Sequence, residues 1–476
     1  MSEKIVIKGL EGECEIVNRL VERVDQKQRR NLLRSSYYDG KKAARMVGDV
    51  IPPQYANLAL TLGWASKAVD GLVRRTVVDE FVATSGMDLD SLGLQSLIES
   101  NFLYSELAQA RTDAALHGIS YLVTTAGVGD EPKALVHAKS ALDATGEWND
   151  RSRRLENFLS ITDRDKGDVT GFILYLPNRT LDAKLSGGTW EVKEFTHTFG
   201  VPVEQLVYKP RKSRSNGKSR ITRPVMSLQD SAMRALLRIE GHMDIYAIPQ
   251  MLFLGASEDL FKNADGSQKP SWKIAMGRVF GIPDDNDPQT ANPRVDAKQF
   301  SAQDPEPHIK QLNMVAKLMS RETNLPDSDF ALSDFSNPTS GDLYIQGRED
   351  LITEAEGAQN DWSPATRRTV RRALAIQNGL SSVPDDWDSI REVWRDPRYT
   401  SKAQAADAGS KQVAAVPWLG DTRVGLKLLG LTPDEIDEAL SERRQATGRQ
   451  VVEAVLNANS GANTVSDSTG NSSSGQ

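Results

Sequence analysis

The chain has few of the residues that build covalent or metal-based chemistry. Cys14 is the single cysteine among 476 residues, which excludes an internal disulfide, a thiolate zinc cluster and a CxxC redox pair. Aromatic residues are scarce, and no apolar run is long enough to cross a bilayer. The first residues carry acids where a secretion signal needs an apolar centre. We therefore expect a protein made and kept in the cytosol, without a membrane partner.

The usual sequence signatures of catalysis are also missing. The histidines lie far apart, so none has a partner at metal-ligand spacing. The NGKS stretch at residues 216–219 ends like a phosphate-binding P-loop, but Lys212 stands where the leading glycine is needed. Gly127 and Gly129 open a dinucleotide fingerprint that Pro132 breaks. We predict no catalytic residue, no cofactor and no metal ion.

The formal net charge of −7 makes the chain acidic. This balance argues against a protein whose whole surface holds nucleic acid, because such binding requires many cations that neutralise phosphates. It is compatible with a surface along which nucleic acid slides, and equally with an ordinary cytosolic enzyme.

Hydrophobic periodicity predicts helices and then strands in the first half of the chain. Apolar residues recur at helical spacing over residues 13–34, 57–78 and 96–117. After them the period falls to two, which predicts strand pairs. One pair is expected at 119–125 with 133–139, and the other at 169–176 with 189–196. Helices followed by antiparallel pairs indicate an α+β fold.

Two amphipathic helices flank a loop-rich segment in the middle of the chain. The first is predicted to begin at Ser227 and to end before Pro249. The second opens at Pro307, with Lys310, Lys317 and Arg321 off its buried face. If the two pack side by side, the segment between them sits at the tip of a two-helix stalk. The apolar stripe predicted for the first helix is Leu228, Ala232, Leu236, Ile239, Met243 and Tyr246.

A basic loop without any acid precedes the first of these helices, at residues 211–223. Such a loop is compatible with simple solvation or with contact to phosphate. Its cations are Arg211, Lys212, Arg214, Lys218, Arg220 and Arg223.

The last third of the chain is predicted to be helical. A long helix over residues 340–377 is expected to be kinked or broken at Ser363-Pro364. Shorter helical pieces follow to about residue 456. Residues 457–476 are too poor in apolar side chains to form a core, so we expect a disordered tail.

Three short motifs in this order resemble the portal proteins of tailed double-stranded DNA bacteriophages, in particular the siphovirus kind of actinobacterial phages. They are YYDGK at residues 37–41, RITRPV at 220–225 with the helix that follows, and NPTSGD at 337–342. The resemblance covers roughly residues 13–456. It implies a mostly helical, multi-domain portal fold assembled as a ring, typically of twelve copies.

Carried over by position, the resemblance implies a division of the chain into named parts. Two stem helices bracket a clip, and a tunnel loop follows the second one. The parts are a wing of helices and antiparallel hairpins at residues 1–226, stem helices at 227–247 and 305–323, a clip at 248–304, a tunnel loop at 324–339, a long kinked wing helix at 340–384, a helical crown at 385–456 and the tail at 457–476.

The resemblance also implies a role and partners. The ring would be a conduit at one capsid vertex of the virion, assembled in the host cytoplasm, through which double-stranded DNA is packaged and ejected. The terminase large subunit and then a head-tail connector would dock on it, and major capsid and scaffold proteins would surround it. The residues expected to face the DNA are Lys310, Lys317, Arg321, Asp327, Asp329 and Asp334.

Two other interpretations remain open from the sequence. The chain could be a nucleic-acid-processing enzyme whose basic loop at residues 211–223 binds substrate. It could also be a shell or scaffold component that forms no channel.

Overall fold

The computed structural model describes residues 4–41, 60–246, 251–254, 265–267, 296–299, 304–330, 348–398 and 402–463. The chain divides into two compact units. The larger unit comprises residues 1–77 and 82–391, and the smaller comprises residues 78–81 and 392–476. Both combine helices with strands, and the sheets of the larger unit are antiparallel, which confirms the predicted α+β class.

The helices of the described residues lie close to the predicted positions. They are α1 Glu11–Tyr38, α2 Trp64–Val73, α3 Leu94–Asn101, α4 Leu103–His117, α5 Arg223–Tyr246, α6 Glu306–Thr323, α7 Glu349–Gln377, α8 Lys402–Ala415, α9 Arg423–Leu428 and α10 Pro433–Asn463.

The strands are more numerous than the pattern predicted. They are β1 Val78–Ala83, β2 Ile119–Ala126, β3 Ala134–Ser140, β4 Ala144–Asn149, β5 Arg154–Asp165, β6 Asp168–Leu176, β7 Arg179–Ser186, β8 Thr189–Thr196, β9 Val203–Val207, β10 Met251–Leu254, β11 Asp296–Gln299 and β12 Ile390–Trp394.

A five-stranded antiparallel sheet in the order β4-β5-β6-β7-β8 dominates the larger unit. Helix α1 packs on it through Val17, Leu20 and Val24, which join Phe172 and Leu174 in one buried cluster. Burying an apolar helix stripe against one sheet face is the arrangement that removes both from water. The sequence pattern therefore placed α1 correctly, but not the sheet that covers it.

The pairing predicted for residues 169–176 with 189–196 is wrong. Strand β6 pairs with β5 and β7, whereas β8 pairs with β7. The turn at Gly187-Gly188, where both φ angles are positive, joins β7 to β8. Glycines are suited to such a two-residue hairpin turn. Leu181, Ala183 and Leu185 of β7 alternate with polar residues, so this segment has a strand pattern, but the pattern does not say which strands pair.

The other predicted pair is confirmed as a hairpin. Strands β2 and β3 are antiparallel, and β9 joins the opposite edge of β2 to complete a three-stranded sheet. This sheet contacts both α4 and α7. Trp362 of α7 is fully buried, and its indole N–H donates to the Val207 carbonyl at 3.1 Å.

Two predicted helices differ in extent. Residues 96–117 form two helices rather than one, because Phe102 adopts a left-handed backbone with φ of +48°. The second predicted helix is shorter than residues 57–78: α2 starts at Trp64, and Val78 already belongs to β1. A left-handed residue such as Phe102 cannot continue a right-handed helix, and the spacing of apolar residues does not reveal such a residue.

Helix α7 runs through Pro364 without interruption, so a break at residues 363–364, one of the two predicted outcomes, is wrong, whereas the kink stays a prediction. The ring of Pro364 removes the donor for the Asn360 carbonyl, but Asn360 and Pro364 are both exposed and water can serve that group. Residues 340–347 lie outside the described part.

The smaller unit pairs β1 with β12 and adds helices α8, α9 and α10. Glu80 on β1 binds Arg423 at 3.1 Å and Lys427 at 2.8 Å, which ties α9 to the strand pair. The region predicted to be purely helical thus contains a strand, at residues 390–394. Helix α10 also reaches Asn463, seven residues into the predicted tail.

Candidate functional site

Helices α5 and α6 form an antiparallel pair. Thr222, just before α5, donates to Glu322 near the end of α6 at 2.9 Å. Near the far end of α5, His242 stacks edge-on against His308 with ring centroids 5.7 Å apart. The two helices therefore run in opposite directions, as the predicted two-helix stalk requires.

Strand β10, which follows α5, and strand β11, which precedes α6, are also antiparallel to each other. Strand β10 pairs with β11 from Met251 opposite Gln299 to Leu254 opposite Asp296. The residues between Leu254 and Asp296 lie outside the described part, except for 265–267. Within the described residues, the segment between α5 and α6 thus starts and ends as a two-stranded ladder.

The buried face of α5 differs from the predicted stripe. Of the six residues named, Ala232 is buried, Leu228, Leu236 and Ile239 are half-buried, and Met243 is 52% exposed. The face that closes on neighbours instead carries Val225, Gln229, Ala232, Met233 and Leu237. Tyr246 belongs to the helix, but its side chain lies outside the described part.

The start of α5 also differs, because it begins at Arg223 rather than near Ser227. Thr222 takes the capping position, where its hydroxyl accepts from the Val225 N–H at 3.4 Å. Pro224 then occupies the first turn, where a missing N–H costs nothing. Ser227 is therefore an exposed residue within the helix.

The three candidate channel cations share the exposed side of α6. Lys310, Lys317 and Arg321 are all exposed, as the pattern predicted. Lys310 bridges to Glu306 one turn earlier at 2.9 Å. Within the described part of the chain, Lys317 and Arg321 form no ion pair. Exposed Met314 lies between Lys310 and Lys317 on the same stripe.

The opposite side of α6 is apolar. Leu312, Val315, Ala316 and Met319 are buried there, and Ile309 is half-buried. The apolar period of the sequence predicts a buried stripe of Ile309, Leu312, Ala316 and Met319, and all of these except Ile309 are buried. The charged side of α6 is therefore accessible to solvent or to another molecule.

The acidic candidates after α6 fall into different surroundings. Asp327 is exposed in a short 3-10 turn. Asp329 lies 3.8 Å from Arg348, and its carbonyl accepts from Lys67 at 2.6 Å. Phe330 is buried with its ring 5.5 Å from that of Trp64. The first half of the predicted tunnel loop is therefore packed against the unit, whereas Asp334 lies outside the described residues.

The basic loop is not a uniform exposed patch. Arg211, Lys212, Lys218 and Arg223 are exposed, and Arg214 is half-buried. Arg220 is buried, which corrects its assignment to a phosphate-binding surface.

Arg220 lies at the centre of a buried polar cluster. Its Nη1 lies 2.8 Å from Glu354 Oε1 and 3.0 Å from the Tyr208 hydroxyl. Its other nitrogens donate to the carbonyls of Ala68 and of Thr323, the latter at 2.5 Å. One guanidinium thus joins α2, the ends of β9 and α6, and α7. Because each of its three nitrogens has a partner, a buried charge is tolerated there.

The pKa values of this cluster reflect mutual stabilisation of charge. Burial would raise the pKa of Glu354, but Arg220, Lys209 and Tyr208 together hold it at about 2. Burial would lower the pKa of Arg220, whereas Tyr208 and Glu354 raise it above its usual value. Glu354 lies far from Arg220 in sequence, so no local pattern indicates their contact.

A second buried carboxylate gathers three arginines. Glu204 on β9 binds Arg368 at 2.7 Å and also pairs with buried Arg372, both on α7. Arg154 approaches the same carboxylate at 3.5 Å. The arginine-rich half of α7 thus binds the three-stranded sheet rather than solvent.

The first motif of the family resemblance also has a structural role. The Tyr37 hydroxyl lies 2.9 Å from both carboxylate oxygens of Asp230, which connects α1 to α5. The Tyr38 hydroxyl donates to Asp70 of α2 at 2.8 Å. The third motif, at residues 337–342, lies outside the described part of the chain.

No group of acidic, histidine or cysteine side chains in the described ranges could hold a metal ion. Among the helices of the described residues, none is long and apolar enough to span a bilayer.

Comparison with known proteins gives the family directly. Residues 18–449 match the family described as phage portal protein, SPP1 Gp6-like, so the chain belongs to this family. The portal proteins of Mycobacterium phages D29 and L5 are each 25% identical to it, over 387 and 386 residues. Each alignment covers 79% of this chain and 77% of the relative. The resemblance seen in the motifs is thereby confirmed, and nothing in these similarities favours the enzyme alternative.

Solved structures with a similar fold come from gene transfer agent particles. A chain of the native virion covers 83% of this chain with 16% identity and a TM-score of 0.38. A chain from the neck of the empty particle, computed with C6 symmetry, covers 78% with 14% identity and a TM-score of 0.42.

Proposed function

We propose that the chain forms a ring, typically of twelve copies, at one vertex of a phage head, with double-stranded DNA passing along its axis during packaging and ejection. The ring would belong to the virion and would be assembled in the host cytoplasm. Besides family membership, the supporting observation is the exposed row of Lys310, Lys317 and Arg321 on α6. Two of these cations have no ion-pair partner among the described residues.

A sparse row of cations suits a sliding duplex. Each phosphate that a cation neutralises adds affinity through released counterions, so many contacts would hold the DNA in place. A few exposed lysines and arginines provide weak and exchangeable contacts. In a ring, each of these charged residues of α6 is repeated once per copy around the axis. Exposed Asp327 adds repulsion that centres the duplex.

The partners follow from the proposed parts of the chain. Helices α5 and α6 would be the stem, and residues 248–304 the clip on which the terminase large subunit docks, followed by a head-tail connector. The wing at residues 1–226 and 340–384 would meet major capsid and scaffold proteins, and the crown would begin at residue 385. The proposed role is structural, so the force for packaging would come from the docked ATPase.

Images of negatively stained protein provide the first test. The purified chain and disrupted virions should contain rings with an axial hole. A single-copy globule at every concentration, together with virions that lack an annular structure, would overturn the proposal. Closed assemblies without a hole would favour the shell or scaffold interpretation.

Charge removal tests the role of α6. The variant Lys310→Gln/Lys317→Gln should form rings like the parent while particles retain a different amount of DNA. The matched control is Lys184→Gln/Lys193→Gln, which removes the same charge from exposed positions of the five-stranded sheet. Rings that fail to form only in the α6 variant would instead place these lysines at contacts between neighbouring copies.

The enzyme alternative needs its own assay. ATP hydrolysis and nuclease activity should both be absent from the purified chain. Activity that disappears when Arg211 and Lys212 are replaced by Gln would favour an enzyme that uses the basic loop.

A further inference from the structure

A cavity of about 430 Å³ lies in the larger unit, between α1, the start of β2 and the basic loop. Lys27 and Arg30 contribute from α1, His117 and Tyr121 from the α4–β2 region, and Arg214 from the loop. Its volume is in the range of cavities that hold small ligands. The proposed DNA channel does not use it.

The loop that closes the cavity is held in place by backbone contacts. The Tyr208 N–H donates to the Gly118 carbonyl at 3.0 Å, and the Lys218 N–H donates to the Tyr208 carbonyl at 2.8 Å. Gly217, with a φ of +63°, lies so close to Gly118 that a side chain would not fit. The cavity is therefore formed before any ligand arrives.

Positive charge in this cavity is not compensated. No aspartate or glutamate lines it, and Lys27, Arg30 and Arg214 form no ion pair within the described ranges. The neighbouring acids are engaged elsewhere: Asp25 binds Arg164 at 2.9 Å, and Glu147 binds Arg19 at 2.8 Å.

The pKa values of the cavity's cations are consistent with positive charge that no acid compensates. Burial, followed by repulsion from Arg23 and Arg30, lowers the pKa of Lys27 to about 8. Burial, and then Arg214, lowers the pKa of Arg30. An anion in the cavity would relieve both effects, because it stabilises the charged forms.

Buried hydrogen-bonding capacity is also unused. His117 lines the cavity, and its buried Nδ1 has no hydrogen-bond partner among the described residues. Ser213 and Ser215 add hydroxyl donors to the lining. Three cations and two serine hydroxyls around one space, with no carboxylate, match a phosphate group.

We propose that this cavity binds the phosphate group of a small phosphorylated molecule of about mononucleotide size. Lys27, Arg30 and Arg214 neutralise the phosphate, and the serine hydroxyls donate to its oxygens. The cavity has room beyond a phosphate ion, and Ile119 and Tyr121 provide an apolar wall for the rest of the ligand. Of the NGKS stretch, Asn216 and Gly217 line the cavity, whereas Lys218 does not.

Titration calorimetry on the full chain tests the proposal, with inorganic phosphate and adenosine 5′-monophosphate as probes and chloride at matched ionic strength as the reference. Both probes should bind saturably at one site per chain, and each should raise the unfolding temperature above that in chloride. Because buried charge-assisted hydrogen bonds are lost, Lys27→Gln/Arg214→Gln should weaken binding by at least about tenfold.

The matched control is Lys212→Gln/Lys218→Gln, which removes two exposed charges from the same loop outside the cavity. It should bind both probes within about twofold of the parent, because neither side chain lines the cavity. Without probe, Lys27→Gln/Arg214→Gln should unfold at or above the parent temperature, since it removes mutual repulsion.

Three results would overturn the assignment. The first is no heat and no stabilisation beyond chloride. The second is equal binding by the parent and by Lys27→Gln/Arg214→Gln. The third is competition by a short single-stranded oligonucleotide at far lower concentration than either probe, which would indicate a nucleic-acid surface instead. The proposal does not depend on ring formation, so its failure would leave the channel proposal untouched.

Discussion

Arg220 Nη1 lies 2.8 Å from Glu354 Oε1, and the two side chains are only 4% and 6% exposed. Arg220 precedes the first helix of the antiparallel pair, and Glu354 belongs to the long helix α7. The same guanidinium donates to the Thr323 carbonyl at the end of α6. This ion pair therefore holds the base of both helices to the rest of the unit.

Replacing Arg220 by Met should destabilise the chain strongly. The substitution leaves the Glu354 carboxylate buried without its main partner, and breaking a buried pair in this way costs about 3–5 kcal/mol. Urea unfolding monitored by tryptophan fluorescence measures the loss. The control is Arg19→Met, whose partner Glu147 lies at the same 2.8 Å but whose side chain is 54% exposed. That control should lose less than about 1 kcal/mol, and equal losses would contradict the anchoring role.

Stability should fall in acid because of Glu354. Its pKa is about 2 in the folded chain, against 4.5 for an unperturbed glutamate. Because the folded value is the lower one, its contribution is complete above pH 4.5 and disappears as the pH falls toward 2. Thermal unfolding in this pH range should show a shallower slope for Glu354→Gln than for the parent. Identical slopes would exclude Glu354 as a source of acid sensitivity.

His117 should give a separate loss of stability at milder pH. Burial, and then Arg34, lowers its pKa from 6.5 to about 4. The folded chain favours the neutral ring, so this contribution is complete above pH 6.5 and is lost as the pH falls toward 4. Between pH 6.5 and pH 4, the unfolding temperature of His117→Gln should change less than that of the parent. Unchanged variation would mean that another group titrates there.

Gly217→Ala should destabilise more than an alanine at another left-handed glycine. A Cβ at Gly217 would clash with the carbonyl oxygens of both Gly118 and Tyr208. We expect a loss of at least about 2 kcal/mol from clash and backbone strain. Gly129 has a similar φ of +68° but open space around it, so Gly129→Ala should lose about 1 kcal/mol. Calorimetric unfolding of both variants separates the clash from the strain, and equal losses would show that the loop yields to the added methyl group.

Tyr37→Phe should weaken the contact between α1 and α5. The change removes the hydroxyl that binds Asp230 without changing the packing of the ring, and we expect a loss of about 1 kcal/mol. A double-mutant cycle with Asp230→Asn measures the coupling by urea unfolding. Additive effects of the two changes would show that the hydroxyl and the carboxylate do not interact.

Sequence periodicity located the long elements well. Helix α1, the β2–β3 hairpin and the α5–α6 pair all lie where three- and four-residue steps or alternation predicted them. Periodicity failed where the local signal is weak or ambiguous. Alternation does not say which strands pair, so β6 and β8 were predicted to pair directly although β7 lies between them. The single left-handed residue Phe102 divides a helix that the pattern presents as continuous. Pro364 does not break α7, because the Asn360 carbonyl that it leaves free is exposed and can bind water.

The sequence by itself determined the α+β class, the family and the exposed side of α6 with its three cations, because these depend on local spacing and on short motifs. The tertiary structure alone decided which charges are available. It buried Arg220 beside Glu354, gathered three arginines around Glu204, and left Lys27, Arg30 and Arg214 facing one cavity without an acid. Charges far apart in the chain meet only through folding, and their burial and partners, rather than their spacing, determine what they can bind.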